Sequence, residues 1–192
     1  MIIGITGGTG CGKTTLLTLL AENGFTVLDC DAIYHKLLKT DKNMLLAIDN
    51  RFPGVVTEGV LDRKKLGSVV FADPAALQDL NKITHRAVKT AVLRRLETTD
   101  NAAIDAIGLF EGGLAELCDM TIAVTAPEQL RVRRLMARDN ITEDYARSRI
   151  AAQRSNEEFT SLCDYALDNS STEAAFREKC LAFFRDKGII NL

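Results

Sequence analysis

Gly7-Gly8-Thr9-Gly10-Cys11-Gly12-Lys13-Thr14 matches the phosphate-loop pattern G-x-x-x-x-G-K-[ST] at every fixed position. The run before it, Met1-Ile2-Ile3-Gly4-Ile5-Thr6, is apolar and β-branched and reads as a buried strand. After it, Leu16, Leu17, Leu19 and Leu20 are spaced for a helix, which Asn23-Gly24 brings to a stop. Strand, glycine loop and helix in that order give the pattern physical content. Glycines let backbone N–H groups turn inward around phosphate oxygens, and the positive end of the helix dipole adds attraction. Lys13 is expected to reach the β- and γ-phosphates, and the Thr14 hydroxyl to ligate Mg²⁺ directly. The competing reading, a glycine-rich turn that binds nothing, leaves this context unexplained. The sequence predicts a site for a nucleoside triphosphate.

The bulk properties agree. A chain of 192 residues accommodates one α/β domain with a substantial core. Its formal charge, 24 minus 26 or −2, provides no global positive field for nucleic acid or an anionic membrane. No apolar stretch approaches the roughly 20 residues that span a bilayer. The phosphate loop occupies the place where a signal peptide would be cleaved, so a cytoplasmic setting is expected. Cys11, Cys30, Cys118, Cys163 and Cys180 form no C-x-x-C pair, which argues against a disulfide framework or a zinc site.

Strand-like and helix-like segments alternate along the chain. Phe25–Leu28 reads as a second strand ending in Asp29-Cys30-Asp31, with a helical pattern following through Ile33, Leu37 and Leu38. Between about Asp41 and Glu97 only Gly54-Val55-Val56 suggests a strand. Asp62 and Asp73-Pro74 carry helix-start signals there. Ala102–Ala106 is a weak strand and Thr121–Thr125 a clear one. Pro127 opens a helix to about Arg138, and Thr142 opens another to about Phe159. Tyr165-Ala166-Leu167 reads as a last strand, and Ser170-Ser171-Thr172-Glu173 resembles a capping box. This alternation predicts an α/β fold, three layers α/β/α, around a mostly parallel sheet of five strands.

Ligands in such sheets sit beyond the carboxyl ends of the strands. Asp31 follows the second strand and is the candidate to accept the proton of an attacking hydroxyl. Asp29 is a second candidate there, and both also suit a helix N-cap. Asp105 on the third strand is a candidate to act on Mg²⁺ through water. Arg131, Arg133, Arg134, Arg138, Arg147, Arg149 and Arg154 cluster between the fourth and last strands. Most are expected to be a solvated helix face. Two helices joined at Asp139-Asn140-Ile141 nonetheless make a hairpin able to act as a lid, with Arg138 at its turn the best-placed cation for a transferring phosphoryl group.

The motifs Gly4–Thr15, Leu28-Asp29-Cys30-Asp31, Leu61-Asp62-Arg63, Ile83-Thr84-His85 and Leu109-Phe110-Glu111 occur in order. Arg134–Asp139, Arg149–Gln153, and Cys163-Asp164-Tyr165 with Asn169 follow. Together they resemble the dephospho-coenzyme A kinase family over essentially the whole chain. The resemblance implies transfer of the ATP γ-phosphoryl group to the ribose 3′-hydroxyl of dephospho-CoA, giving coenzyme A and ADP, with Mg²⁺ as cofactor. It implies one P-loop kinase domain of three parts: a core over about 1–32, 99–132 and 160–192, a helical acceptor-binding insertion over about 33–98, and a lid over about 133–153. The ATP site would draw on Gly8, Thr9, Gly10, Cys11, Gly12, Lys13, Thr14, Thr15, Arg138 and Asn169. Catalysis would rest on Asp31, Lys13 and Arg138. Asp31, Arg63, His85, Leu109 and Glu111 would meet the acceptor. Two departures fall on the acceptor side: Arg86 follows His85 where the family usually has proline, and Ile107-Gly108 replace a usual proline and leucine.

Other readings share parts of this pattern. A kinase for another small alcohol or a nucleoside uses the same loop, carboxylate and lid. A non-catalytic ATP-binding module uses the loop alone. A GTPase ordinarily carries N-K-x-D, and Asn81-Lys82-Ile83-Thr84 lacks its aspartate. Cys11 lies inside the loop at a helix N-terminus, a place that tends to lower a thiol pKa; most buried or loop cysteines are inert, which is the favoured reading, and the sharper alternative is that its modification blocks ATP binding.

Overall fold

The computed structural model describes residues 1–190. In chain order its elements are β1 (Ile2–Thr6), α1 (Lys13–Glu22), β2 (Thr26–Asp29), α2 (Cys30–Thr40), α3 (Lys42–Arg51), β3 (Val56–Thr57), β4 (Val60–Leu61), α4 (Arg63–Val70) and α5 (Pro74–Leu96). There follow β5 (Ala102–Asp105), β6 (Met120–Thr125), α6 (Glu128–Asp139), α7 (Glu143–Ala151), α8 (Asn156–Leu162), β7 (Tyr165–Asp168) and α9 (Glu173–Asp186). Two compact units are built from them. One comprises Met1–Leu28, Thr99–Phe110 and the chain from Leu114 onward; the other comprises Asp29–Thr98 with Glu111–Gly113.

In the first unit the five-stranded parallel sheet has the order β2-β5-β1-β6-β7 with helices on both faces, a three-layer α/β fold. Ile3 lies between Ala103 of β5 and Met120 of β6, so β1 is central and covered on both faces. A strand covered in this way reads as a continuous apolar run, which is what residues 2–6 are. β5 looked weak because alanines have little strand preference, but Ala102, Ala103 and Ile104 are fully buried. Pairing with β1 and packing fix this strand, where propensity alone would not. On one face Leu16, Leu19 and Leu20 of α1 meet Phe176, Cys180 and Phe184 of α9 in the main core.

The second unit is helical. Its core joins Leu38, Met44, Ile48 and Phe52 to Leu66, Val70, Ala76 and Leu80. The segment expected as an isolated strand at residues 54–56 is a short antiparallel hairpin of β3 and β4. Glu58 and Gly59 form its two-residue turn, both with positive φ (52° and 78°), the geometry that matches strand twist. Asp62 and Asp73 cap α4 and α5 with their side chains, as their positions before Arg63 and Pro74 predict.

The helix expected from Thr142 to Phe159 is two helices. Chain direction changes after Ala151, and Ser155 starts α8 with a reciprocal capping box to Glu158. Ser155-Asn156-Glu157-Glu158 is itself that signature, and it competes successfully with helix continuation. Thr172 caps α9 through the Ala175 N–H, so the cap is real, while the expected box is absent because the third helical position is alanine. No helix of the described residues is long and apolar enough to cross a membrane.

Candidate active site

The carboxyl ends of β1, β5, β6 and β7 bring four sequence-distant segments together in the first unit. After β1 the chain enters the glycine loop, and Gly12 precedes α1 in a left-handed conformation (φ 92°, ψ 31°). A side chain there faces both backbone strain and steric overlap with the Asn169 amide, so the position is restricted to glycine. The first N–H groups of α1 have no partner within the helix and give the site its donors.

The loop carbonyls are held from outside. Arg131 Nε donates to the Thr9 carbonyl at 2.9 Å. Arg134 Nη1 donates to the carbonyls of Gly10 and Cys11 at 3.3 and 3.2 Å. Asn169 Nδ2 donates to the Cys11 carbonyl at 2.9 Å, and its own Oδ1 accepts from Arg134 Nη2 at 3.2 Å. In a planar trans peptide the C=O and the following N–H point in opposite directions. Donors on the carbonyls of Thr9 and Cys11 therefore turn the Gly10 and Gly12 N–H groups the other way, the orientation an anion nest requires. Sequence reading assigned most of these arginines to a solvated face. Arg131 is instead 3% exposed, and Arg134 is partly buried. The signal that would have found them is their spacing of three, which puts both on one face of α6.

Lys13 folds over the loop, its Nζ donating to the Gly7 carbonyl at 2.9 Å and lying 3.9 Å from Asp105 Oδ1. Thr14 is exposed in the first turn of α1. Cys11 is 1% exposed, and burial pushes its thiol up despite the opposing influence of Lys13. This direction goes with the inert thiol and against the activated alternative, because desolvation outweighs both the nearby cation and the helix terminus.

Arg138 is exposed and makes a bidentate pair with its neighbour Asp139, at 2.7 and 2.9 Å. Arg149 joins the same carboxylate at 2.6 Å. These two guanidinium groups hold the Asp139 carboxyl well below the usual carboxylate range. The structure thus places Arg131, Arg134 and Asn169 on the loop, while Arg138 sits at the hairpin turn. Val132, Leu135, Ala146 and Ile150 give that hairpin its own small core.

In the helical unit the two aspartates separate. Asp29 Oδ1 accepts from the Ala32 N–H at 2.9 Å and is the N-cap of α2. The Asp31 side chain is exposed in the first turn, with no partner on its carboxylate among the described residues; its backbone carbonyl meets His35 Nδ1 at 2.8 Å. Arg63 lines a cavity of about 310 Å³ with His35, Leu38, Lys39, Val60 and Leu61. His35 and Lys39 were missed by sequence reading; they lie at i+4 and i+8 from Asp31 on one face of α2. His85 is half-buried on α5 and does not line that cavity. Arg86 lines a different cavity, with Leu37, Met44 and Arg94. Glu111 is exposed. Leu109, in the sheet-bearing unit, is fully buried, and a side chain on Gly4 would meet its Cδ2 at 2.9 Å. The Leu109 side chain is part of the core beneath β1 and presents no open surface.

A five-stranded parallel sheet with a phosphate loop after its central strand, flanked by helices, defines a P-loop kinase. Residues 1–175 match the profile of the dephospho-CoA kinase family, and the chain belongs to that family. A dephospho-CoA kinase from Deinococcus radiodurans is 40% identical over 177 residues, 88% of this chain and 83% of that protein. The crystal structure of TT1252 from Thermus thermophilus matches with a TM-score of 0.81 and 32% identity over 97% of each chain. The dephospho-CoA kinase from Campylobacter jejuni matches at 0.67 with 26% identity over 98% of each. The chain is accordingly an enzyme, an ATP-dependent kinase that phosphorylates dephospho-CoA in coenzyme A biosynthesis.

Proposed function

We propose that Asp31 accepts the proton of the ribose 3′-hydroxyl of dephospho-CoA as that oxygen attacks the γ-phosphorus of ATP. The bond from the γ-phosphorus to the β,γ-bridging oxygen breaks, and ADP leaves with its β-phosphate held by the loop. Gly8 to Thr15 form the phosphate-binding loop, with the N–H groups of Gly10 and Gly12 offered to the phosphates, and Lys13 exchanges its contact with the Gly7 carbonyl for phosphate oxygens. Arg138 neutralises charge on the transferring group, and Asn169 holds the loop at the nucleotide. Arg63 and Lys39 offer positive charge to the phosphates of the acceptor, His35 beside them offers a ring nitrogen, and His85 and Glu111 contribute to the acceptor side. The donor set of one exposed hydroxyl, Thr14, and one carboxylate, Asp105, fits Mg²⁺, a hard ion that keeps several waters and takes substrate phosphates as ligands. Bound Mg²⁺ supplies neutralisation of the β- and γ-oxygens. The reaction is assigned to the cytoplasm.

The observation that carries this reading is the loop, whose Thr9, Gly10 and Cys11 carbonyls are held by Arg131, Arg134 and Asn169, which leaves the Gly10 and Gly12 N–H groups turned the other way for an anion. The acceptor assignment rests on family membership and on the free Asp31 carboxylate. A coupled assay of ADP release with Mg-ATP and dephospho-CoA, several nucleosides, or buffer alone tests it. ADP release that depends on dephospho-CoA and yields coenzyme A is expected. Release with a nucleoside but not with dephospho-CoA overturns the acceptor, and silence with every acceptor overturns the catalytic roles.

A further inference from the structure

Thr9 is gripped on both of its peptide groups by residues from outside the loop. Its carbonyl accepts from Arg131 Nε at 2.9 Å, and its N–H donates to Gln153 Oε1 at 2.7 Å. Arg131 belongs to α6, and Gln153 follows α7, so the two arms of the α6–α7 hairpin close on one loop residue. The glycines on either side are fitted to the same arginine. A Cβ on Gly8 would overlap the Arg131 guanidinium, and one on Gly10 would lie 2.9 Å from the Arg131 carbonyl oxygen. Gly8, Thr9 and Gly10 are thus moulded around one side chain.

Arg131 is also incompletely satisfied. Its Nη2 is buried without a hydrogen-bond partner among the described residues. The carboxylate that bears on it is Glu128, which is exposed and paired with Arg147 at 2.6 Å. A buried guanidinium without a close counter-charge costs stability, so a folded chain that retains one uses it for something. Here the charge lies directly behind a loop that receives a polyanion.

We infer that Arg131 and Gln153 are positioning residues for phosphoryl transfer: they clamp Thr9, aim the Gly10 N–H at the nucleotide phosphates, and tie the loop to the α6–α7 hairpin. Arg131 then gains from the bound polyphosphate the counter-charge that the protein withholds. Gln153 supplies the second grip, so that movement of the hairpin and ordering of the loop are one event. This inference rests on the proposed role of the loop as the ATP-phosphate site.

The test uses R131M, R131K and Q153A in the full chain. For each, kcat, KM for ATP, the melting temperature without nucleotide and its rise with Mg-ATP are measured. In R131M the KM for ATP is expected to increase about ten-fold or more, the effect of losing a charge-assisted hydrogen bond. The Mg-ATP thermal shift is expected to shrink, while the nucleotide-free melting temperature falls only slightly, because losing the bond to the Thr9 carbonyl is offset by removing a buried charge without a close counter-charge. R131K, which keeps the charge and loses the fork, falls between. Q153A is expected to raise KM for ATP with little change in the KM for dephospho-CoA. A merely structural role predicts the opposite split, with lower nucleotide-free melting temperatures and an unchanged thermal shift. If R131M does not fold, R131K and Q153A decide, and a KM for ATP within two-fold of wild type in both overturns the clamp. Wild-type enzyme inactive with dephospho-CoA would instead overturn the proposed function, so the two failures are distinguishable.

Discussion

Asn169 donates its side-chain N–H to the Cys11 carbonyl at 2.9 Å, joining the end of β7 to the loop before α1. Both residues are buried, and the same asparagine accepts from Arg134 through its Oδ1 and its backbone carbonyl. One amide therefore satisfies a loop carbonyl and an arginine at once. Asn169→Ala removes the shorter of two hydrogen bonds on the Cys11 carbonyl and one acceptor of Arg134, which keep their other partners, and a net loss of about 1 kcal/mol is expected. Lower stability in urea together with a raised KM for ATP is expected, because the Gly12 N–H loses its orientation. Unchanged KM for ATP would show that the loop holds its shape without this contact.

The two aspartates after β2 have the same sequence context and different structural duties. Asp29 caps α2, so Asp29→Ala is expected to lower stability by about 1 kcal/mol with turnover nearly intact. Asp31 makes no side-chain contact that would be lost. Asp31→Asn is expected to reduce kcat by about 10²–10⁴-fold, with stability and KM for ATP little changed. Denaturation and steady-state kinetics on both variants check the pair, and similar kcat values would remove Asp31 from its role as base.

Much of this division was legible in the sequence, and the rest was hidden for identifiable reasons. β1, the loop and α1 follow from local pattern, since glycine, lysine and apolar spacing each have one reading there. The Asp62 and Asp73-Pro74 caps were legible for the same reason. β5 was faint because its identity comes from pairing with β1 and from burial, both nonlocal. The duty of Arg131 was hidden because a charged residue on an amphipathic helix reads as solvated until the loop that packs on it is known. The split between α7 and α8 was written in Ser155 and Glu158 but outweighed by a continuous helical pattern. Leu109 lay inside a functional motif, and its complete burial depends on contacts such as the one with Gly4 that no local pattern encodes.

The cysteines provide a pH prediction. Burial raises the thiol of Cys11, and it pushes Cys163 up to about 11 and Cys118 and Cys180 up to about 12. Thiolate is the reactive form, so a raised pKa keeps these groups protonated and slow near neutral pH. Native protein at pH 8 is expected to react with a disulfide reagent far more slowly than unfolded protein, and the rate should climb as pH approaches 11. Mg-ATP is expected to leave the Cys11 labelling rate unchanged, as judged by mass spectrometry of the loop peptide. Fast labelling of Cys11 at pH 7 that Mg-ATP suppresses would restore the activated thiol.

Arg138 is held by Asp139, which Arg149 also engages. The Asp139 carboxyl is depressed by these partners, so its contribution is fully present above the ordinary value of 3.8 and is lost only as pH falls well below it. The hairpin turn should therefore keep its ion pairs throughout the neutral range. Arg138→Ala is expected to lower kcat by about 10³-fold or more, the scale of an arginine supplied to a transferring phosphoryl group, with stability nearly unchanged because the side chain is exposed. Asp139→Asn weakens the tether and frees Arg138 to move. It is expected to change KM for ATP while leaving the melting temperature near wild type. Parallel kinetics and thermal denaturation distinguish the two effects, and a kcat for Arg138→Ala equal to wild type would shift the phosphoryl-neutralising role to the arginines on the loop.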